Sequence, residues 1–297
     1  MATIDLHIHS NYSNDADFPP SELVERCLQA RLTQAAIADH NSVKAIDEAL
    51  STAKETPLHV IPAVEMDCVQ DGIVLHLLGY GIDHSDPIFD VIDADLHQQE
   101  KDNASKLVRL VRQLGINFDN ELFQSLAVDG VITGEMIAEA ALIYDSENKN
   151  PLLDPYRGDG DRSDNPYVNF YWDFCSQGKP AYVPMDFVTL ERAIEIIRTN
   201  HGVPILAHPG INVKEDLSFL ERIISKGISG IEVYSSYHNK KQVMYYKEAV
   251  LSKGLLMTCG SDFHGKTKKS IKIGGSDCEG LEETIISGLL DAIGKAQ

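Results

Sequence analysis

Basic residues are scarce in this 297-residue chain: 26 Lys plus Arg stand against 45 Asp plus Glu, a formal charge of −19. That deficit excludes a protein that coats nucleic acid nonspecifically, because a phosphate backbone would meet net repulsion. A local cationic site for a single phosphate remains open. No apolar run approaches the roughly 20 residues of a membrane helix, and the acidic Met1–Asp5 start has no basic secretory region. Cysteine is also thin: Cys27, Cys68, Cys175, Cys259 and Cys278 are odd in number, scattered, and form no CxxC pair. This usage argues against a disulfide framework and predicts reduced, buried thiols in a cytoplasmic protein. Repeats and low-complexity tracts are lacking as well. What is present is an ordinary globular balance, 43% hydrophobic and 24% charged. The length suffices for one large α/β domain or a core plus an insertion.

The first third alternates β-rich runs with helical patterns, which predicts a parallel sheet wrapped by helices. Strands are expected at Thr3–His9, Ala35–Asp39, His59–Asp67, Ile73–Ile82, Val203–His208, Gly230–Tyr234 and Leu255–Asp262. Helices are expected at Ser21–Arg31, after a Pro19–Pro20 stop, and around the apolar series Leu190, Ala193, Ile194, Ile197 and Leu281, Ile285, Leu289, Ile293. Residues 94–184 read differently. Their spacing is helical (Leu107, Leu110, Val111, Leu114; Met136, Ile137, Ala140, Ala141), and Asn150–Pro166 is a loop rich in Pro, Gly and Asp. The expected organisation is a seven-stranded (β/α) barrel from 1–93 and 185–297, with a helical insertion at 94–184 over its mouth.

Histidines and carboxylates gather on the predicted strands, mostly at their ends. Asp5, His7 and His9 alternate, so one strand face carries all three. The other runs end in Asp39-His40, Glu65, His208-Pro209 and Ser261-Asp262-Phe263-His264, or contain His76 and Glu232. Strand ends of a closed β/α barrel converge on one mouth, where catalytic residues collect. A mixed imidazole and carboxylate set without thiolate suits Mn, Fe or Zn in open sites. More ligands are available than one ion needs, so two or three divalent ions are expected, close enough to clamp a phosphoryl group.

Four segments carry a resemblance: Asp5-Leu6-His7-Ile8-His9-Ser10, Ala38-Asp39-His40-Asn41, Ala207-His208-Pro209-Gly210 and Gly260-Ser261-Asp262-Phe263-His264. In this order they resemble the four motifs of the PHP (polymerase and histidinol phosphatase) family, whose fold is a distorted seven-stranded β/α barrel. The resemblance implies a trinuclear site. His7, His9, Glu65 and Asp262 would hold one ion. Glu65 would bridge to a second, completed by His76 and His208, and Asp15, His40 and His264 would hold the third. Some relatives have histidine where this chain has Asp15, or an aspartate one position earlier, at Asn14; Asp17 is a nearby alternative ligand. Gly178–Pro184, running into the Leu190–Arg198 helix, resembles the bacterial branch that removes phosphate from nucleotides and short oligonucleotides. Thr133-Gly134-Glu135-Met136-Ile137 lacks an Arg often found there, which leaves Arg157, Arg162 and Lys179 as the basic substitutes for substrate binding.

The implied activity is a metal-dependent phosphoric ester hydrolase in which metal-activated hydroxide attacks phosphorus in small nucleotides or oligonucleotide ends. His264 would protonate the leaving alkoxide unless a water does, and Asp262 joins it as catalytic. Asp5, with Asp39 and Glu232, would orient ligand imidazoles or waters. Tyr234, Tyr237 and His238 follow a strand end, where they can stack on a base or simply pack. Phe170, Tyr171 and Trp172 are expected to anchor the insertion. The alternatives are a small-metabolite phosphatase such as one acting on histidinol phosphate, an amidohydrolase-type hydrolase, and a non-catalytic metal-binding scaffold.

Overall fold

A computed structural model describes residues 3–127 and 129–297; Met1 and Ala2 of the Met1–Asp5 start, and Val128, lie outside it. The strands are β1 (Ile4–Ile8), β2 (Gln34–Ile37), β3 (His59–Val60), β4 (Ala63–Gln70), β5 (Ile73–Tyr80), β6 (Val188–Thr189), β7 (Val203–Leu206), β8 (Gly230–Ser235) and β9 (Leu256–Gly260). Helices α1 (Pro20–Gln29) and α2 (Ile46–Ala53) follow β1 and β2. Between β5 and β6 lie α3 (Ile88–Gln113), α4 (Asn120–Leu126), α5 (Gly134–Tyr144) and α6 (Pro166–Phe170). The later strands alternate with α7 (Leu190–Thr199), α8 (Leu217–Ser225), α9 (Lys240–Lys253) and α10 (Glu282–Ala296).

The fold is mixed α/β. One sheet has the order β1-β2-β3 and the other β6-β4-β5-β7-β8-β9. Two isolated bridges join them, Ile8 to Phe263 and His40 to Glu65. The all-parallel expectation needs correction at β5, which runs antiparallel to both β4 and β7. The reason is local: Asp71-Gly72, both at positive φ, form the two-residue turn between Gln70 and Ile73. Asp-Gly is the preferred chemistry of such a hairpin turn. The expected His59–Asp67 strand is also divided, because Pro62 has no N–H for a ladder; its carbonyl instead accepts from the Gly81 N–H. At α1, Pro20 begins the helix where the sequence suggested a stop, as proline does at a first helical position.

β1 is buried along its whole length. Its Leu6 side packs with β4, β5 and β7 in the largest apolar cluster, while Asp5, His7 and His9 take the opposite alternation. Gly260 on β9 permits this arrangement: a Cβ there would lie 2.1 Å from the His7 Cβ and 2.7 Å from Glu232 Oε1. A separate apolar cluster, including Val111, Ile137, Phe170 and Ala181, lies in the helical stretch after β5. Helix α3 starts at Ile88, so the expected 93/94 boundary falls within it.

Candidate metal centre

Glu65 lies on β4 at the centre of the site. Its Oε2 is 3.2 Å from His7 Nε2, 3.2 Å from His9 Nε2 and 3.3 Å from His40 Nδ1. Its Oε1 is 3.1 Å from His76 Nδ1 and 3.0 Å from His208 Nε2. Asp262 Oδ1 completes the other side, 3.1 Å from His9 Nε2 and 3.4 Å from His264 Nδ1. Residues from two strands and three loops thus meet within 3.3 Å of a single buried carboxylate. His76 reaches it from the fourth residue of β5, because that strand runs backwards relative to the others.

Outer contacts fix these rings. Glu232 on β8 takes His7 Nδ1 at 3.0 Å with one oxygen and accepts the His208 N–H with the other. His9 Nδ1 meets the Ser13 hydroxyl at 3.1 Å; that hydroxyl donates to Asp39, which also accepts from the Ser10 N–H and hydroxyl. His208 and Asp262 adopt positive φ, an uncommon backbone state that collects at functional sites.

The charges are mutually dependent. Burial alone would raise the Glu65 carboxyl, but His7, His76 and His40 hold it well below the usual range. Burial would likewise raise Asp262, and Lys268 with His264 and His7 outweighs it, so it too sits well below. Burial lowers the His76 imidazole, yet Glu65 and Asp67 bring it up to about 9. His264 is pushed well below its ordinary value by burial and by His9 and Lys268. Two acids on the helical side go the other way: burial and Asp15 raise Glu135 to about 8, and burial with Asp67 and Asp15 raises Glu100 to about 8.

The donor set fits divalent cations. Glu65 Oε2, Asp262 Oδ1, His40 Nδ1 and His264 Nε2 are buried and make no hydrogen bond. Lone pairs aimed at one another in this way are costly unless a cation satisfies them. Potential ligand atoms fall into overlapping groups: His7, His9, Glu65 and Asp262; Glu65, His76 and His208; His9, His40 and His264; and His40, Asp67 and His76. The first two are the expected ones. In the third, His9 appears where Asp15 was expected; Asp15 Oδ2 stands 3.4 Å from His264 Nε2.

A cavity of about 1140 Å³ opens from this cluster and is walled on its far side by α3, α5 and the Tyr171–Cys175 turn. Lys179 lines it, as do Tyr237 and Trp172. Other expected substrate residues are placed elsewhere. Arg157 pairs with Asp145 and Asn148, and Arg162 forms a two-pronged pair with Asp173, both away from the cavity. The His238 ring bonds the Gly210 N–H and the Val233 carbonyl, and Tyr234 donates to Glu279. Asp5 needs a similar correction: it accepts backbone N–H groups of Ser261, Gly274 and His7 and reaches no ligand imidazole. Phe170 belongs to the helical core, whereas Tyr171 and Trp172 face the cavity.

Two residues escaped the sequence reading. Asp67 follows Glu65 by two on the same face of β4 and pairs with His76 Nε2 at 3.2 Å, so strand alternation carried a signal for it. Lys268, in a short turn after β9, donates to Asp262 Oδ2 at 2.5 Å while only 4% exposed. It lies in a Lys-Thr-Lys-Lys run with no periodicity to mark it.

Comparison with known proteins agrees with this geometry. The PHP domain family matches residues 5–143. A 3',5'-nucleoside bisphosphate phosphatase of Chromobacterium violaceum is 26% identical over 285 residues, covering 93% of this chain and 92% of that one. The 5'-3' exoribonuclease Rnm of Escherichia coli K12 is 25% identical over 266 residues, covering 88% and 84%. The solved structure of an amidohydrolase from Chromobacterium violaceum, with bound sulfate, superposes with a TM-score of 0.77 at 22% identity over 96% of both chains. The matched segment supplies His7, His9, His40, Glu65 and His76, and the remaining candidate ligands reach the same cluster from segments after later strands. On sequence over residues 5–143, and on site geometry, this chain is similar to the PHP domain family.

Proposed function

We propose that this protein hydrolyses phosphate esters of small nucleotides or oligonucleotide ends in the cavity above Glu65. It is a metal-dependent phosphoesterase. The observation that carries the reading is the convergence of five imidazoles on both oxygens of one buried carboxylate, with unpartnered ligand atoms beneath a cavity of nucleotide size. His7, His9, Glu65 and Asp262 would hold one divalent ion, Glu65, His76 and His208 a second, and His40 and His264 with His9 or Asp15 a third. Mn, Zn and Fe all suit these donors. Ions so bound supply activated water and neutralise charge growing on phosphorus. Glu232 and Ser13 keep the coordinating nitrogens of His7 and His9 turned inward. His264, whose imidazole is pushed well below its ordinary value by burial, His9 and Lys268, would serve as a ligand, leaving a water to protonate the leaving group. Lys179 at the cavity wall is retained as a substrate contact, whereas Arg157, Arg162 and His238 have none in this reading.

The same reading closes the two sheets into one distorted seven-stranded barrel. The Ile8–Phe263 and His40–Glu65 bridges support it. Residues 94–184 are then the helical insertion that roofs the mouth, which their separate apolar cluster supports. Among the described residues no helix is long and apolar enough to cross a membrane, and five free, buried cysteines favour a reducing, cytoplasmic setting. The test is a substrate panel with added Mn²⁺ or Zn²⁺: nucleotides, short oligonucleotides, histidinol phosphate and amide substrates. Turnover of nucleotide or oligonucleotide phosphates upholds the proposal, and turnover confined to amides overturns it.

A further inference from the structure

Beside the carboxylate and imidazole cluster stands a group of quite different chemistry. Lys268 is one of few buried cations, and charged lysine is rarely buried without a purpose or a partner. Its ammonium donates to Asp262 Oδ2 and has the Tyr237 hydroxyl beside it, which leaves a further N–H donor. Its ammonium lies 4.8 Å from the centroid of the Tyr237 ring. Tyr237 packs edge-on against the ligand His208, with ring centroids 5.4 Å apart, and against Trp172 at 6.2 Å. Burial pushes the Tyr237 phenol up while Lys268 and Trp172 beside it pull the other way. The Trp172 indole Nε1 is buried and makes no hydrogen bond, a cost that a native site seldom carries without a ligand to relieve it. All three side chains line the cavity. They come from three separate segments: the turn after β9, the loop after β8, and the helical stretch that roofs the mouth.

A phosphate monoester presents three terminal oxygens, and an internal diester only two. Cations held by the Glu65 cluster would engage oxygens on their own side, leaving any third one toward the opposite wall. We propose that Lys268, Tyr237 and Trp172 form a pocket of N–H and O–H donors for that third oxygen, which makes this site selective for terminal phosphate monoesters over internal diesters. The proposal rests on the phosphoesterase reading above. Lys268 also steadies Asp262, so Trp172 and Tyr237 are the cleaner probes.

The experiment titrates inorganic phosphate into the metal-loaded protein by calorimetry and compares kcat/KM for a nucleoside monophosphate and a dinucleotide. Tyr237→Phe and Trp172→Phe should each weaken phosphate binding about 10- to 150-fold, the range of a lost hydrogen bond to a charged group. Each should lower monoester kcat/KM more than diester kcat/KM, with bound metal at the wild-type value. Lys268→Met should weaken phosphate binding about 100-fold, and Lys268→Arg should restore part of it. Wild-type phosphate affinity and an unchanged monoester-to-diester ratio in both Tyr237→Phe and Trp172→Phe, with normal metal content, would overturn the pocket. Should the wild type cleave neither ester, the phosphoesterase reading falls, while the phosphate titration still decides the pocket.

Discussion

Replacing Glu65 by Gln removes one charge and one strong acceptor while conserving shape. In the metal-free protein five imidazole nitrogens lie within 3.3 Å of its oxygens, and Asp262 with Glu232 remains to face them. Burial opposes protonation of His7, but Glu65, Glu232 and Asp262 raise its imidazole well above the ordinary value. Removing one partner from a buried charge pair costs about 3–5 kcal/mol, since the remaining charges lose their compensation. For a chain of this size that amounts to roughly 6–20 °C in Tm. The sign with pH follows from the depressed Glu65 carboxyl. Its contribution is fully present above the unfolded carboxyl value of about 4.3 and is lost as pH falls through the lower folded one. The Tm gap between wild type and Glu65→Gln should therefore be full at pH 7 and close progressively below pH 4. Calorimetry in EDTA measures it, and metal analysis of the reconstituted proteins should show the variant short of at least one ion. Equal Tm at pH 7 together with equal metal content would refute the central place given to this carboxylate.

Three further outcomes are expected. Ser13→Ala removes the hydroxyl that joins His9 to Asp39 and should reduce metal affinity or kcat about 10- to 100-fold with an unchanged circular dichroism spectrum; wild-type values in both would exclude this orienting role. Gly260→Ala should cost about 3 kcal/mol or more in thermal unfolding, because the added methyl meets the His7 backbone and Cβ and small-to-large strain has few flexible atoms to relieve it; a variant as stable as wild type would contradict the close strand approach. Loading the metal-free protein at pH 7.5 should release protons, from His76 at about 9 and from His7 and His9, whose carboxylate neighbours also raise them, since imidazoles must deprotonate to ligate. These folded values lie above the unfolded one, so release should decline as pH rises past 9; calorimetry in buffers of different ionisation enthalpy reads it, and zero release at pH 7.5 would contradict the assignment.

Much of the site was legible because strand alternation and strand ends are local signals. His7 and His9 share a face by period two, and His40, His208 and Asp262 sit just past strand termini in the sequence as in the fold, whereas Glu65, expected at a strand end, is the third residue of β4. The reversed β5 was missed although Asp71-Gly72 announced it; the apolar runs on either side of that turn read equally well in either direction. The basic loop residues misled for a physical reason. Arg157 and Arg162 sit among acidic neighbours of their own segment, and Asp145 and Asp173 neutralise them locally, a pairing that no sequence pattern distinguishes from a free cation. Lys268 was hidden by the converse: its partner Asp262 is close in sequence, but its burial depends on Tyr237 and other residues brought in from distant segments.

The most direct test of the whole account is anomalous diffraction from crystals of the protein reconstituted with Mn²⁺ or Zn²⁺. The account predicts two or three peaks within about 2.0–2.3 Å of imidazole and carboxylate atoms, with Glu65 between two of them and His7, His9, His208 and Asp262 among the ligands. A fully loaded crystal whose peaks lie elsewhere, with Glu65 contacting no ion, would contradict it.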